Sequence, residues 1–233
     1  TQQVRDMFDN ISQHYDFLNH ALSFGIDIIW RKSMVRIARK AYPGRFLDIA
    51  TGTGDQAVML AEKLHPQRID AIDLSEKMMD IGRSKVTKKG LSDKIFFQRA
   101  DCQSLPFDHN TFDLATISFG VRNFENLAQS LSEIHRVLKP GGMLLILEFS
   151  HPTAFPIKQL YSFYNKCILP AVGYVVSGDA KAYTYLPESI KAFPSGRNFI
   201  NLLRVDGFLA TRMTPMTGGI ATIYSGIKAP EKV

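Results

Sequence analysis

The chain has 233 residues, 45% of them hydrophobic and 21% charged, which is the composition of a globular protein with a full core. Its two cysteines, Cys102 and Cys167, exclude a disulfide framework, and no apolar run reaches the ~20 residues of a membrane span. No signal-peptide pattern is visible, so a reduced cytoplasmic setting is expected. The net charge of +6 is spread widely, which indicates either a solvated basic surface or mild attraction to a membrane or nucleic acid.

The chain begins with two predicted helices and an unusual stretch between them. Apolar residues at the spacing of one helical face predict the first helix: Val4, Met7, Phe8 and Ile11. The second runs from about Ile28 to Ala41 and stops at Pro43-Gly44. Between them, "HYDFLNHALSFGIDIIW" (14–30) is aromatic and apolar but broken by polar residues and glycine. It is interpreted as core, as a membrane-surface segment or as part of a site.

Strands then alternate with helices. Five short apolar strands are predicted, at 45–50, 68–74, 95–100, 111–119 and 143–149. Asp55 and Ser75 are expected to cap two intervening helices, and Gly90 ends the second. The third has an apolar face of Leu127, Leu131, Ile134 and Leu138, and it stops at Pro140-Gly141-Gly142. This alternation predicts an α/β fold with a doubly wound, mostly parallel sheet.

The pattern changes after Ser150. Residues 152–194 are aromatic and proline-containing, and they indicate an inserted helical section. A helix at 195–205 and two strands, 207–214 and 220–228, are expected to close the sheet as a hairpin. We therefore predict one domain, 1–233, with four parts: an N-terminal helical cap (1–43), a cofactor-binding core (44–150), a helical insertion or lid (151–194), and a final helix and strands (195–233).

The loop "DIATGTGD" follows the first strand, where doubly wound sheets bind ligands. Gly52 and Gly54 let the backbone approach a ligand, although a simple tight turn is the alternative. The loop has no Walker ending, and Ala57 breaks the full dinucleotide pattern.

Acidic residues stand at three successive strand ends: Asp48, Asp73 and Asp101. A carboxylate such as Asp73 can accept from ribose hydroxyls, and one such as Asp101 can accept from an adenine amino group. Three negative charges oppose a phosphate-rich ligand and favour a nucleoside with a cationic arm. S-adenosylmethionine has these features.

The sequence resembles the class I S-adenosylmethionine-dependent methyltransferases, and within them the C-methyltransferases of menaquinone and ubiquinone synthesis. Three stretches carry this resemblance: "YDFLNHALSFGIDIIW", "TISFGVRN" (116–123) and "RVLKPGGMLLILEFS" (136–150). The resemblance implies a Rossmann-like sheet of seven strands. The first stretch departs from the family at Leu18, where Met is usual, and at Asp27, where His is usual.

The resemblance also implies site residues. Family contacts to S-adenosylmethionine fall on Thr53, Asp73, Asp101, Cys102 and Ser118, and loop geometry adds Gly52, Gly54 and Asp55. At Cys102 the backbone N–H, rather than the thiol, is expected to meet the adenine. No metal is expected.

The family's acceptor is a polyprenylated quinol, whose ring carbon attacks the methyl group once a neighbouring hydroxyl is deprotonated or polarised. Arg122 is expected to act as an electrostatic clamp on the phenolate beside Asn123, with Tyr15 as a third catalytic candidate. Tyr15, Asp16 and Asn19 are expected to shape the quinol pocket. Glu148 is interpreted either as facing the cleft or as the partner of a nearby cation, and His14 either as a base or as a cap.

We therefore expect methylation of demethylmenaquinol to menaquinol, with 2-polyprenyl-6-methoxy-1,4-benzoquinol as the alternative acceptor. Methylation of another small molecule and a noncatalytic scaffold are the hypotheses from other classes. The expected partners are the quinol, a membrane surface reached through residues 155–176, with Lys158 and Lys166, and a second copy in a homodimer. Nucleic-acid binding is not expected.

Overall fold

The computed structural model describes residues 9, 23, 25–41, 44–163 and 180–230 of the chain. The first predicted helix and most of the stretch 14–30 lie outside these residues. The remainder contains every strand that the sequence predicts.

A seven-stranded sheet forms the centre of the molecule, in the order β3-β2-β1-β4-β5-β7-β6. Its strands are β1 (Arg45–Ile49), β2 (Arg68–Asp73), β3 (Ile95–Arg99), β4 (Phe112–Ser118), β5 (Leu138–Phe149), β6 (Phe208–Met216) and β7 (Ala221–Lys228). The first five pair in parallel, and β7 is antiparallel to both β5 and β6. The predicted doubly wound sheet and its closing hairpin are confirmed.

Seven α-helices flank the sheet in the described part of the chain. They are α1 (Ile26–Ala38), α2 (Asp55–Leu64), α3 (Glu76–Lys88), α4 (Leu127–Val137), α5 (Ile157–Phe163), α6 (Ala180–Ala192) and α7 (Arg197–Val205). One buried cluster lies between the sheet and α1 and α2, and a second lies on the opposite face against α4 and α7. Because each strand of the centre is covered on both faces, its residues read as continuous apolar runs.

Several predicted boundaries hold and others are wrong. Ser75 caps α3 as predicted, since its side chain accepts from the N–H of Met78 at 3.2 Å. Asp55 does not cap α2 but is its first residue, because Gly54 occupies the N-cap with φ of 79°. Leu138 belongs to β5 rather than to α4 and pairs with Phe112. The helix cannot continue there, because the ring of Pro140 would clash with the preceding turn.

Helix α1 places the end of the first family-like stretch against the sheet. It begins two residues earlier than predicted and ends at Ala38, with a 3₁₀ turn over Arg39–Ala41. Trp30 is 3% exposed, and its ring Nε1 donates to the hydroxyl of Thr217 at 2.8 Å. This bond ties α1 to the β6–β7 connection, which lies beside the carboxyl end of β5 because Ala221 pairs with Phe149.

Candidate active site

A cavity of about 330 Å³ opens at the carboxyl ends of β1, β2 and β4. Its wall includes Ile49, Ile72 and Ser118 from these strands, together with Phe119, Gly120 and Asn123 from the turn after β4. The volume and the mixture of apolar walls with a few polar groups are typical of a small-molecule site. The crevice at the strand ends is where the sequence predicted the ligand to bind.

The glycine loop between β1 and α2 forms one wall. Ala50, Gly52 and Gly54 have positive φ values of 52°, 55° and 79°. A Cβ on Gly52 would lie 3.3 Å from the Met78 side chain, and one on Gly54 would lie 2.9 Å from the ring of Phe97. Glycine is therefore needed at position 54 for both conformation and space. The loop packs tightly on α3 and leaves its backbone open to the cavity.

Asp73 is held rigidly at the end of β2. Its Oδ2 accepts from the N–H of Gly52 at 2.8 Å, and its Oδ1 accepts from the N–H of Ser75 at 2.9 Å. Burial raises the pKa of Asp73, and these N–H groups oppose that rise. Each oxygen keeps a further lone pair for the cavity, where two adjacent hydroxyl groups of a ribose would be suitable donors.

Asp101 and Cys102 follow β3 on the other side of the cavity. Asp101 is exposed, and its Oδ1 accepts from the N–H of Gln103 at 2.9 Å. The thiol of Cys102 is buried with its Sγ 4.0 Å from the carbonyl oxygen of Ser130, and burial raises its pKa to about 12. The thiol therefore stays protonated, and the expected contact of the Cys102 backbone N–H with an adenine stays a prediction.

A second, smaller cavity of about 20 Å³ lies beneath the glycine loop and shares Ala50, Gly52 and Ser118 with the first. Thr53 and Asp55 line this second cavity rather than the large one. Lys85 of α3 donates to the Thr53 hydroxyl at 3.3 Å and forms an ion pair with Asp55. Thr53 and Asp55, both predicted to contact the cofactor, therefore line the second cavity beneath the glycine loop.

Asp48 also faces the second cavity and is 1% exposed. Its two oxygens accept from the hydroxyls of Thr116 and Thr51, each at 2.6 Å. Burial raises the pKa of Asp48 to about 6, although these hydroxyls and the charge of Arg31 lower it. The three strand-end carboxylates therefore do not share one wall: Asp73 and Asp101 line the large cavity and Asp48 the small one.

Arg122 forms a buried ion pair beside the large cavity. Its Nη1 donates to Glu148 Oε1 at 2.7 Å and to the carbonyl of Phe119 at 2.5 Å, and its Nε donates to the Ser189 hydroxyl at 3.3 Å. The side chains of Arg122 and Glu148 are 5% and 0% exposed. Glu148 is thus the partner of a cation, which was one of its two interpretations. The clamp role of Arg122 stays a prediction.

Asn123 lies on the cavity wall next to this pair. Its Oδ1 accepts from the hydroxyl of Tyr185 on α6 at 2.8 Å. Burial raises the pKa of Tyr185, so its phenol keeps the donated proton. With Oδ1 engaged, the amide nitrogen of Asn123 remains as the donor of this cavity-lining side chain. Sequence reasoning missed Tyr185 and Ser189, because nothing in the insertion's pattern distinguishes them from other polar residues.

His14 and three residues of the first family-like stretch, Tyr15, Asp16 and Asn19, lie outside the described residues. Asp27 is described: it is 3% exposed, accepts from the Ser23 hydroxyl at 2.7 Å, and lies 3.7 Å from Arg31 Nε. Asp27, the residue that departs from the family pattern, is therefore part of a buried ion pair with Arg31.

The described site fits S-adenosylmethionine. The glycine loop presents the backbone of Gly52 to the large cavity, Asp73 and Asp101 stand on that cavity's wall as carboxylate acceptors for a ribose and an adenine amino group, and Cys102 lies beside Asp101. The described residues contain no group of His, Cys, Asp or Glu side chains suited to a metal ion.

This sheet, with a ligand cavity at the carboxyl ends of its central parallel strands and a reversed β7, is the class I methyltransferase fold. Among solved structures, the [4+2]-cyclase SpnF aligns over 98% of this chain and 97% of its own, with a TM-score of 0.68 and 20% identity. A Haemonchus contortus phosphoethanolamine N-methyltransferase 2 in complex with S-adenosyl-L-methionine aligns over 85% of this chain and 52% of its own, with a TM-score of 0.61 and 16% identity. At such identities the likeness shows the fold alone.

Sequence comparison is more specific. The chain matches the model of the ubiE/COQ5 methyltransferase family over residues 1–228. It is 47% identical to the demethylmenaquinone methyltransferase of Bacteroides fragilis over 98% of this chain and 93% of that protein. It is 46% identical to the ubiquinone/menaquinone biosynthesis C-methyltransferase UbiE of Geobacter sulfurreducens, over 97% of this chain and 89% of that protein. The chain belongs to the ubiE/COQ5 methyltransferase family, and as a member it is an S-adenosylmethionine-dependent methyltransferase.

Proposed function

We propose that the protein transfers a methyl group from S-adenosylmethionine to a ring carbon of demethylmenaquinol, which yields menaquinol. The observation that carries this proposal is the near full-length similarity to relatives named for that reaction, 47% in the Bacteroides fragilis protein. The site supports it, because a rigid carboxylate for a nucleoside and an amide donor for an acceptor line the same cavity.

On the donor side, Asp73 would hold the ribose through both oxygens, and Asp101 and the Cys102 N–H would hold the adenine. The sulfonium supplies a methyl group that is already activated for transfer. The task of the protein is therefore to align the acceptor carbon with that methyl group and to exclude water. The apolar residues Ile49, Ile72 and Phe119 on the cavity wall serve that exclusion.

On the acceptor side, the ring carbon attacks as the neighbouring hydroxyl loses its proton. The Asn123 amide nitrogen would donate to that oxygen and stabilise its developing negative charge. Arg122 would add a positive potential from behind this oxygen. A guanidinium does not act as a base, and its Nη1 donates hydrogen bonds to Glu148 and to the carbonyl of Phe119. Tyr15, Asp16 and Asn19 remain our candidates for the quinol pocket, and Tyr15 for the third catalytic group.

A second acceptor, 2-polyprenyl-6-methoxy-1,4-benzoquinol, is favoured by the printed name of the Geobacter sulfurreducens relative, which includes ubiquinone as well as menaquinone. Turnover with a radiolabelled methyl donor tests both acceptors side by side. We expect transfer to demethylmenaquinol at a higher kcat/KM than to the benzoquinol. No transfer to either quinol would overturn the proposal and would favour another small-molecule acceptor or a scaffold.

We propose contact with a membrane surface, since a polyprenyl chain partitions into lipid. None of the described helices is long and apolar enough to cross a membrane. On the segment around α5, Phe155 and Leu160 are 81% and 65% exposed, close to Lys158. Co-sedimentation with vesicles containing anionic lipid tests this surface, and a Phe155→Ser/Leu160→Ser variant should bind them less.

We propose a homodimer through the β6 edge of the sheet. β6 is the last strand of the sheet, and its Leu209 and Met213 are apolar and 53% and 40% exposed; Val205, the last residue of the preceding α7, is 84% exposed. Exposed edge strands with apolar residues invite pairing. Light scattering should give twice the chain mass, and a Val205→Glu/Leu209→Arg variant should give the single mass.

A further inference from the structure

A third cavity, of about 330 Å³, lies between α1 and α2. It shares no lining residue with the two cavities at the glycine loop. We call it the basic groove, and its lining residues are Lys32, Val35, Arg36, Arg39, Met59 and Lys63. The spacing of these residues places one face of α1, continued by the 3₁₀ turn that starts at Arg39, beside one face of α2.

The lining of the basic groove contains cations and no acidic side chain. These cations are exposed, and in the described part of the chain none forms an ion pair or a side-chain hydrogen bond: Lys32, Arg36, Arg39 and Lys63. The acidic neighbour Glu62 is engaged elsewhere, since its Oε1 accepts from Lys89 at 2.6 Å. Like charges one helical turn apart, such as Lys32 and Arg36, repel each other. An anion in the groove would relieve this repulsion.

Apolar groups accompany the cations. Val35 is buried and Met59 is half-buried, so the groove has an apolar floor beneath its charged rim. Ile29 is 58% exposed and lies one helical turn before Lys32 and two turns before Arg36. An exposed helix stripe that combines an aliphatic side chain with Lys and Arg is typical of helices that lie on an anionic bilayer. The aliphatic stems of the cations add to the apolar contact.

The location of α1 favours an extended partner over a small soluble anion. Trp30, next to Ile29, donates to Thr217 in the β6–β7 connection at 2.8 Å. Ile157, the first residue of α5, packs on Gly218 of the same connection. The exposed apolar residues of α1 and of the α5 segment therefore flank one connection. A bilayer is large enough to contact both, whereas a free phosphate would contact the basic groove alone.

We propose that the basic groove binds the phosphate groups of anionic phospholipids at a bilayer surface, with Ile29 at the boundary of the acyl chains. This assigns a headgroup site to α1 and α2, separate from the apolar contact of the α5 segment. It rests on the membrane contact proposed above and is independent of which quinol accepts the methyl group.

Vesicle flotation tests the basic groove, with phosphatidylcholine vesicles that either contain or lack phosphatidylglycerol. The wild type should prefer the anionic vesicles. Arg36→Gln/Lys63→Gln should bind them about thirtyfold more weakly, which corresponds to about 1 kcal/mol for each cation lost near the surface. The matched control Lys191→Gln/Arg197→Gln removes the same charge from exposed positions of α6 and α7, beside the second buried cluster, and should bind nearly as the wild type does. High salt should abolish the difference between the two variants.

Two further measurements separate a local effect from a general one. Ile29→Ser should weaken binding to the anionic vesicles while it leaves every charge in place. Methylation of a short-chain quinol in solution should be unchanged in Arg36→Gln/Lys63→Gln, because the basic groove shares no residue with the large cavity. Reduced methylation there would overturn a role confined to the membrane.

The flotation outcomes distinguish this inference from the wider proposal. Equal losses in the groove variant and the control would overturn the inference, since net charge alone would then govern binding. Pyrophosphate or an oligonucleotide that binds the groove more tightly than the vesicles would overturn it in favour of a soluble polyanion. Binding that requires Phe155 and Leu160 but neither Arg36 nor Lys63 would overturn the groove and keep the membrane contact. A wild type that binds neither kind of vesicle would overturn both.

Discussion

At the residue scale, the site depends on side chains whose orientation is fixed by neighbours rather than by their own rotamer preference. Asp73 is held by two N–H groups, Arg122 by Glu148 and a carbonyl, and Asn123 by Tyr185. Preorganised groups of this kind lose little entropy when a ligand binds. Mutations at Asp73, at Arg122 and at the Tyr185 partner of Asn123 should therefore have distinguishable effects on ligand affinity, stability and turnover.

Asp73→Ala should weaken S-adenosylhomocysteine binding by about a hundredfold or more, because two charge-assisted hydrogen bonds to the ribose are lost at about 1.5–3 kcal/mol each. Asp73→Asn, which keeps the shape and one acceptor, should lie between this variant and the wild type. Titration calorimetry measures both. Unchanged affinity in Asp73→Ala would contradict the assigned loop.

Arg122→Met should destabilise the fold by about 3–5 kcal/mol, because Glu148 would be left buried without a cation. The double variant Arg122→Met/Glu148→Gln should regain much of that stability and bind S-adenosylhomocysteine normally, yet methylate slowly. Urea unfolding, calorimetry and turnover separate these effects. Turnover that recovers together with stability would mean that Arg122 is only structural.

Tyr185→Phe should lower kcat about threefold to tenfold, the effect of one neutral hydrogen bond of about 0.5–1.5 kcal/mol, because the Asn123 amide can then rotate. Affinity for S-adenosylhomocysteine should not change, since Tyr185 bonds to Asn123, which we assign to the acceptor, and is not one of our predicted donor residues. The pH profile of kcat should keep its shape, because the phenol is protonated in the wild type. An equal loss in donor affinity would argue for a general packing effect.

At the element scale, the approach of helix α3 to the glycine loop sets the shape of the donor site. A Cβ on Gly82 would lie 2.7 Å from the Phe97 ring and 3.1 Å from the carbonyl of Thr53. No motif in the sequence marks Gly82, whereas the glycines of the loop were recognisable from their spacing after a strand.

Gly82→Ala should therefore cost about 1–3 kcal/mol of folding stability, as for overpacking, and should also weaken donor binding because Thr53 must move. Adding Phe97→Leu should relieve both losses in part. Ser84→Ala, on the exposed side of the same helix, is the matched control and should be neutral. Thermal unfolding with and without S-adenosylhomocysteine measures both effects. A Gly82→Ala variant with unchanged stability would show that the Phe97 ring moves aside at no cost.

The elements of the sheet could be predicted from the sequence because each strand is a short apolar run ended by glycine or an acidic residue. Asp73 could be assigned from its distance beyond the glycine loop, and the fold then placed it on the cavity. The Arg122–Glu148 pair, the separation of Asp48 from Asp73, and the bond from Tyr185 could not be predicted. The Arg122–Glu148 pair joins residues 26 positions apart and the Tyr185–Asn123 bond joins residues 62 apart. Asp48 and Asp73 line different cavities. Only packing sets these relations.

At the scale of the whole molecule, the buried carboxylate of Asp48 links folding to pH. Because its folded pKa of about 6 lies above its unfolded value of 3.8, the folded state binds the proton more tightly. Its contribution to stability is therefore fully present below about pH 4 and is lost as the pH rises through 6.

The free energy of unfolding of the wild type, relative to Asp48→Asn, should fall by about 2.5 kcal/mol between pH 4 and pH 7, from a shift of about two pKa units. Comparison of the two proteins cancels the contributions of other groups. Urea unfolding at several pH values, without ligand, measures the difference. A constant difference across this range would mean that Asp48 titrates as an ordinary exposed carboxylate.

The contact of α6 with the turn after β4 has a consequence for how such enzymes diversify. The residues we predict to hold the donor lie in the sheet and its glycine loop, whereas the hydroxyls that bond to Arg122 and Asn123 come from Ser189 and Tyr185 of α6. A lineage can therefore replace residues 151–194 and acquire a new chemistry while inheriting its nucleoside pocket intact. The [4+2]-cyclase SpnF has this fold along nearly its whole length at 20% identity, and a shared fold does not by itself fix the reaction.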